Sequence, residues 1–475
     1  MRKSYIHTHL LEQAFRGTEG IREVCFIGIG GIGMSALARF FVAQGVKVSG
    51  YDKTPSAITQ ELAGLGIEIH YEEELAKVAT QADLIIYTPA IPENHKELCW
   101  YRDHGYTIWK RSDVLQRITE HSLNICIAGT HGKTTTTTLV AHILRESGFG
   151  CNAFLGGIAA NYGTNHWGSS TNCCVVEADE YDRSFLKLHP HIALVSAMDA
   201  DHLDIYGTVE AMEQAFIDFT SLIPSEGLLV FKHGLTRADS LKAPQKISYH
   251  LEDAAADCYT THLQVREGKY HFTIVLKGEI LGDFELSMGG LHNVENAVGA
   301  IAITHALGIE TTAIVKAVAS FKGVQRRFEK VVNRSEVVVI DDYAHHPAEL
   351  SALLKGVRSL YGQTRCTLIF QPHLYSRTRD LSIEFAEALN AADRVILLPI
   401  YPARELPIEG VSSELIAQKM RQEKVQQLSK DELLSWVATD FKKEIVSGHK
   451  EVLITAGAGD IDQLPIQIKE ILVNQ

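Results

Sequence analysis

The chain has 475 residues, 45% hydrophobic and 22% charged, with a formal net charge of −13. That length exceeds one ordinary core, so two to four domains are expected, and the acidic balance argues against a nucleic-acid binder. The start MRKSYIHTHLLEQAFRGTEG lacks the apolar segment of a secretory signal, no apolar run approaches the roughly 20 residues of a membrane span, and the eight cysteines, without a Cys-x-x-Cys pair, read as buried thiols of a cytoplasmic protein.

Short β-branched runs alternate with longer helical stretches, the pattern of parallel α/β sheets. From Ile21 to Ser112 the runs VCFIGIG, KVSGYD, IEIHY, LIIYTPA and TIWKR predict the strands of a first Rossmann-like block. Gly28, Gly30, Gly31 and Gly33 follow the first strand and lead into a helix. Asp52 ends the next strand, where the ribose-binding acid of a dinucleotide site lies. Taken alone, this loop predicts NAD and an oxidoreductase. The same geometry suits the pyrophosphate of any nucleotide, or a tight helix–strand turn with no ligand.

The second block opens with the apolar strand NICIA, then Gly129-Thr130-His131-Gly132-Lys133-Thr134-Thr135, then the helical run TLVAHILRESG. Strand, glycine loop and helix in that order are what a phosphate loop requires. The two glycines turn backbone N–H groups toward a polyphosphate, Lys133 adds a charge, and Thr134 offers a hydroxyl to Mg²⁺. The loop is shorter than the general one, since Ile127 stands where a further glycine is usual. The threonine run 134–138 suits capping and phosphate or metal contact better than a helix interior. Lys133 is expected to be exposed in the empty loop.

Strand CCVVEA ends in Glu177-Ala178-Asp179-Glu180-Tyr181-Asp182, and IALVSA ends in Met198-Asp199-Ala200-Asp201-His202-Leu203-Asp204. Both clusters fall at carboxyl ends of parallel strands, the edge the phosphate loop also occupies. Hard oxygen ligands with one His suit Mg²⁺ on phosphates. The alternative is a pair of solvated acidic loops. His292 and Asn293 open a helix, with Asn296 on the same face; a plain helix start is the competing reading. From about Glu336, the strands VVVIDDY, TLIFQPH, RVILLPI and VLITAGAG predict a second Rossmann-like sheet.

GTHGKTT, EADEYD, HLD, GVQRRFE and DDYAHHP, in that order over nearly the whole chain, resemble the motifs of the Mur ligase family. Within it, IGIGGIGMSALA, HHP, QPHLYSRTRD, IEGVSS and AGAGDI resemble the alanine-adding branch. The absence of Lys between Tyr206 and Lys232, where other branches carry a carbamylated Lys, agrees with that branch. Tyr181 stands where many relatives have Ser, and Leu374 where some have Arg. The resemblance implies an α/β fold of three domains. Residues 1–121 form a Rossmann-like UDP-sugar domain, 122–328 a central P-loop ATPase-type, mostly parallel sheet, and 329–475 a Rossmann-like amino-acid domain.

The resemblance also implies an ATP-dependent, acyl-phosphate ligase of peptidoglycan synthesis. It would use ATP with two Mg²⁺ ions, UDP-N-acetylmuramic acid and L-alanine, with no membrane insertion. A family member that adds a ready-made tripeptide to the same sugar is the close competitor. The glycine loop then holds uridine diphosphate, with Asp52, Thr88, Pro89 and Ala90 completing the pocket. Lys133, Glu177 and His202 become catalytic, and Thr134, Glu177 and His202 ligate metal. His292, Asn293, Asn296, Arg327 and Asp342 join the phosphate loop around the nucleotide. His345, His346, His373 and Arg377 take the amino acid, with Arg377 preferred over Arg379.

Overall fold

The computed structural model describes residues 20–120, 122–199, 203–403 and 405–473. Three sheets carry them. The first has the order β3-β2-β1-β4-β5, all parallel, from β1 (Glu23–Ile27), β2 (Lys47–Tyr51), β3 (Glu68–His70), β4 (Leu84–Tyr87) and β5 (Ile108–Lys110). Val24 to Ile27 are buried, as a strand flanked by parallel neighbours and helices must be. The chain order leaves β1 and reverses direction in the sheet beside β4, so the switch point faces the glycine loop that follows β1.

The second sheet has ten strands in the order β15-β14-β13-β12-β11-β10-β6-β9-β7-β8. They are β6 (Leu123–Ala128), β7 (Asn152–Ala159), β8 (Thr164–Trp167), β9 (Cys173–Glu177), β10 (Ile192–Val195), β11 (Leu228–Lys232), β12 (Gln245–Tyr249), β13 (Cys258–Arg266), β14 (Lys269–Leu276) and β15 (Glu279–Leu286). At its centre β6 lies between β9 and β10, parallel to both. The third sheet, order β16-β17-β21-β18-β19-β20, is parallel except for the edge strand β16. Its members are β16 (Glu329–Asn333), β17 (Val337–Asp342), β18 (Arg365–Phe370), β19 (Arg394–Leu397), β20 (Val425–Gln427) and β21 (Glu451–Ala456). The five-stranded sheet and most of the ten-stranded sheet pack as one compact unit, and the six-stranded sheet builds the other. Seven cysteines are buried, Cys99 is half-buried, and none is bonded to another. No helix among the described residues is long and apolar enough to cross a membrane.

Within the first unit, the β7–β8 hairpin locks the first sheet's leading helix, Ile32–Ala43, against the second sheet. The fully buried Asn165 amide donates to the Ile32 carbonyl at 2.6 Å and to the Ser35 hydroxyl at 2.9 Å. Phe40, Phe154 and His166 meet in edge-on and tilted ring contacts, with centroids 5.0–5.8 Å apart. The His166 Nδ1–H donates to the Ala153 carbonyl at 2.8 Å, while burial holds the ring's pKa down to about 4. The ring is therefore neutral when folded and titrates at about 6.5 when unfolded. The unfolded chain binds the extra proton, so stability falls as pH drops below about 6.5 and levels off below about 4. Between pH 7 and 5 that loss is roughly 2 kcal/mol. Denaturant titrations should show His166→Gln losing less stability than the wild type over that interval; equal losses would mean that another group is responsible.

Candidate active site

The phosphate loop is built by a strand that ends against a neighbour's backbone. Gly129 has φ +132°, and a Cβ there would lie 2.2 Å from the Ser196 hydroxyl and 2.8 Å from the Ala197 nitrogen at the end of β10. Gly132 has φ +78° and would drive a Cβ to 2.5 Å from Asn296 Oδ1. Both positions thus exclude any side chain, for reasons of conformation and of space. The Thr130 N–H donates to the Ala197 carbonyl at 3.1 Å, and the Thr130 hydroxyl accepts from the Asp199 N–H at 3.2 Å. The exposed His131 and Asp199 side chains approach to 3.5 Å. Gly132 then caps the helix Lys133–Glu146 without a side-chain hydrogen bond.

The threonine run has two explanations in place of one. Thr137 and Thr138 turn their hydroxyls back to the carbonyls of Lys133 and Thr134, at 2.8 and 2.7 Å, so helix packing accounts for them. Thr135 is buried in the helix's first turn. Thr134 alone faces an acid, donating to Glu177 Oε1 at 3.1 Å. The other Glu177 oxygen accepts the Gly156 N–H at 3.1 Å, and Gly156 has no room for a Cβ beside it.

Lys133 is not exposed. Its ammonium meets both oxygens of Glu180 at 2.7 Å; the lysine side chain is 14% accessible and the glutamate 0%. A buried carboxylate needs such a partner. The strand end at β9 therefore supplies two acids to the loop, Glu177 for Thr134 and Glu180 for Lys133. Glu180 lies inside a motif that reads as an undivided acidic cluster, which hides its separate role. His202, Asp201 and Ala200 lie outside the described residues.

In the first sheet, the glycine loop closes on its own acid. Asp52 Oδ2 accepts the Gly30 N–H at 2.7 Å and Oδ1 the Thr54 N–H at 3.2 Å. Gly28, at φ +89°, and Gly30 have no space for side chains, being pressed by Thr88 and by Asp52 with Thr59. Asp52 therefore braces the loop. A cavity of about 280 Å³ runs from Gly31 and Gly33 past Thr88 and Arg111 to Gly156, Glu177 and Asp179. A neighbouring one of about 220 Å³ is lined by Thr88, Pro89, Ala90, Arg111, Asp179 and Tyr181. Arg111, which follows β5 and opens the helix Arg111–Thr119, is absent from the residues expected from sequence; its place just beyond a strand's carboxyl end was the available signal.

Asn296 stands against Gly132, while the Asn293 amide, in the first turn of its helix, donates back to the Gly289 carbonyl at 2.6 Å. His292 packs on Gly290. In the second unit, Asp342 ends β17 and accepts the N–H groups of Phe328 at 2.7 Å and Ala344 at 2.8 Å; burial raises its carboxyl to about 6. Arg327 is close enough to oppose that shift. Its neighbour Arg326, at φ +60°, donates to Asp341 at 3.1 Å and to the Gly457 carbonyl. Three of the expected amino-acid residues come together. The rings of His345 and His373 lie 5.9 Å apart, and Arg377 reaches His373 Nδ1 at 3.5 Å. His346 is instead the N-cap of helix Pro347–Tyr361, accepting from the Ala348 N–H at 3.4 Å. Arg379 pairs with the adjacent Asp380 at 2.7 Å on the surface.

Models of three domains of one family match in chain order. They are the Mur ligase family catalytic domain over residues 23–122, the Mur ligase middle domain over 127–304, and the Mur ligase glutamate ligase domain over 326–459. The chain is 46% identical over 459 residues to a UDP-N-acetylmuramate–L-alanine ligase of Porphyromonas gingivalis, covering 95% of this chain and 99% of the relative. It is 45% identical to the corresponding ligase of Parabacteroides distasonis, with 96% and 98% covered. The solved UDP-N-acetylmuramate-alanine ligase of Thermotoga maritima matches with a TM-score of 0.79 at 27% identity, over 94% of this chain and 98% of that one. A murein peptide ligase from Psychrobacter arcticus shares the fold, with a TM-score of 0.64 at 22% identity and coverage of 96% and 99%. Matched along its length by three domain models and by relatives of nearly equal length, the chain belongs to the Mur ligase family.

Proposed function

We propose that the chain joins L-alanine to the carboxylate of UDP-N-acetylmuramic acid at the expense of ATP, in the cytoplasmic stage of peptidoglycan synthesis. The products are UDP-N-acetylmuramoyl-L-alanine, ADP and phosphate. One observation carries the reading. Glu177 belongs to two places at once: it lines the cavity that begins at Gly31 and Gly33, and it bonds Thr134 of the phosphate loop. A sugar nucleotide held at the glycine loop can thus present its carboxylate where a triphosphate ends.

The chemistry explains why the sites must meet. A carboxylate resists an amine, because oxide is a poor leaving group. Transfer of the γ-phosphoryl group gives an acyl phosphate, whose phosphate leaves readily when the amine attacks. Catalysis of the first step is chiefly positioning and charge neutralisation. Lys133 neutralises the β/γ-phosphates, and the loop's N–H groups other than that of Thr130, which donates to the Ala197 carbonyl, cradle them. The Thr134 hydroxyl and the Glu177 carboxylate, 3.1 Å apart, are the hard oxygen pair that suits one Mg²⁺. His202 is the proposed ligand of a second ion. Bound there, Mg²⁺ would offset the repulsion between carboxylate and triphosphate. Arg327 and Asp342, with His292, Asn293 and Asn296, are the proposed nucleotide contacts. Arg377 grips the alanine carboxylate, beside His345 and His373. An NAD-dependent reaction fits poorly, since hydride transfer has no use for the second nucleotide site that the phosphate loop supplies.

Lys133→Ala should lower turnover more than a thousandfold. It should also lower stability by about 3–5 kcal/mol, because the buried Glu180 carboxylate loses the ammonium it is paired with. The double variant Lys133→Ala/Glu180→Gln should regain most of that stability and stay inactive. Denaturant titration and phosphate release read the two effects separately; near-normal turnover in Lys133→Ala would remove the ATP-site assignment.

In competition at equal concentration, L-alanine should exceed glycine and L-serine by only ~1–3 kcal/mol, since a small pocket discriminates single groups weakly. D-alanine should not react. Preferential incorporation of the tripeptide would overturn the choice of amino acid while leaving the ligase chemistry in place.

A further inference from the structure

The cavity between the glycine loop and Glu177 must accept an anion, yet its own lining is acidic. Its lining includes two carboxylates, Glu177 and Asp179, against one cationic side chain, Arg111. Arg111 lines the adjoining 220 Å³ cavity as well, between Thr88–Ala90 and Tyr181. The nearby Lys187 is already neutralised, bonded to Asp113 at 2.5 Å and to Ser112 at 3.2 Å.

Arg111 sits in an unusual place for a cation. Its Nη1 would be 2.7 Å from a Cβ on Gly33, so the guanidinium lies against the first turn of helix Ile32–Ala43. A helix start carries partial positive charge and favours anions. This one has no acidic residue in its first turn and no side-chain cap. The ion pair described for Arg111, with Asp179, spans 3.9 Å. Two positive groups therefore converge on one end of the cavity, where Asp179 is the carboxylate that the described residues place beside Arg111. Their position is at the Gly33 end, whereas Glu177 is engaged with Thr134 and Gly156 at the other.

We infer that Arg111 binds the diphosphate of the sugar nucleotide and leaves the reacting carboxylate to the Glu177 end of the cavity. The inference rests on the proposed sugar-nucleotide reading and adds a residue to it. A side chain at position 33 would push the guanidinium from its place against the helix start. Asp179 holds Arg111 in place until the diphosphate takes over. Lysine in place of arginine would keep the charge and lose the planar two-pronged contact.

The experiment uses the full-length chain, wild type, Arg111→Ala and Arg111→Lys, with thermal unfolding to confirm that each is folded. Direct binding of UDP alone is measured first, then kinetics with UDP-N-acetylmuramic acid and with free N-acetylmuramic acid, which has the same carboxylate and no diphosphate. Arg111→Ala should weaken UDP binding and raise KM for the sugar nucleotide roughly 10- to 100-fold, the range of a charge-assisted contact. It should leave kcat and the KM values for ATP and L-alanine within about threefold, and Arg111→Lys should recover part of the loss. The wild-type preference for the nucleotide-linked sugar should shrink by the same factor. Unchanged UDP binding in Arg111→Ala would overturn the inference while leaving the ligase reading intact. An equal loss with both sugars would move Arg111 to the carboxylate and overturn it too. A wild-type chain that binds UDP through Arg111 but ligates nothing would retain the inference and defeat the functional reading.

Discussion

The site depends on how closely β6 and β10 approach at their carboxyl ends. Gly129 passes the Ser196–Ala197 backbone with no space for a single methyl group, and Gly132 passes Asn296 in the same way. Because the loop is that tight, the helix beginning at Lys133 points its first turn at the space beyond the strand ends. Lys133 and Thr134 then stand next to one another at that turn, and the end of β9 brings an acid to each. A bulkier loop would separate these groups, and the hydroxyl–carboxylate pair suited to a metal would be lost.

Charge is the second constraint. A chain of net charge −13 must draw a triphosphate and a carboxylate into one place. In the proposed reading local cations do this against the overall field, Lys133 toward the triphosphate and Arg111 toward the diphosphate that carries the sugar, and each has a resting acid: Glu180 for Lys133, Asp179 for Arg111. The two pairs differ in kind. The first is short and buried, which fixes the lysine head. The second is long and half exposed, which leaves the guanidinium available. The Asn165 brace holds the helix under the glycine loop against the sheet that carries Glu177, so the two ends of the cavity keep their spacing.

Much of this was legible in the sequence because its central strands are buried on both faces. VCFI, NICIA, CCVVE, IALV, VVVI, TLIF and VLITA read as continuous apolar runs, and all are strands. The edge elements were harder. Near one end of the second sheet, β13 and its edge strand β15 carry Thr, His, Gln, Glu and Gly and are buried at only some positions, and the antiparallel edge strand β16 has Val332 as its one buried residue. Glycine loops announce themselves by residue type, but what a neighbouring acid does is decided by distance. Asp52 closes its own loop, Glu180 holds Lys133, and His346 caps a helix while His345 faces His373. Adjacent residues of the same type thus take different roles that spacing alone does not separate. Arg111 belongs to the same class, since an arginine at the end of a short strand has meaning only once Gly33 and Asp179 are seen beside it.

The central claim is that the sugar's carboxylate takes the γ-phosphoryl group before the amine attacks. The direct measurement supplies UDP-N-acetylmuramic acid labelled with ¹⁸O in its carboxylate, together with ATP, Mg²⁺ and L-alanine, and weighs the phosphate released. Activation as acyl phosphate predicts that each phosphate carries one labelled oxygen for every amide formed. Unlabelled phosphate accompanying amide formation would mean that ATP is cleaved without activating the carboxylate, and would contradict it.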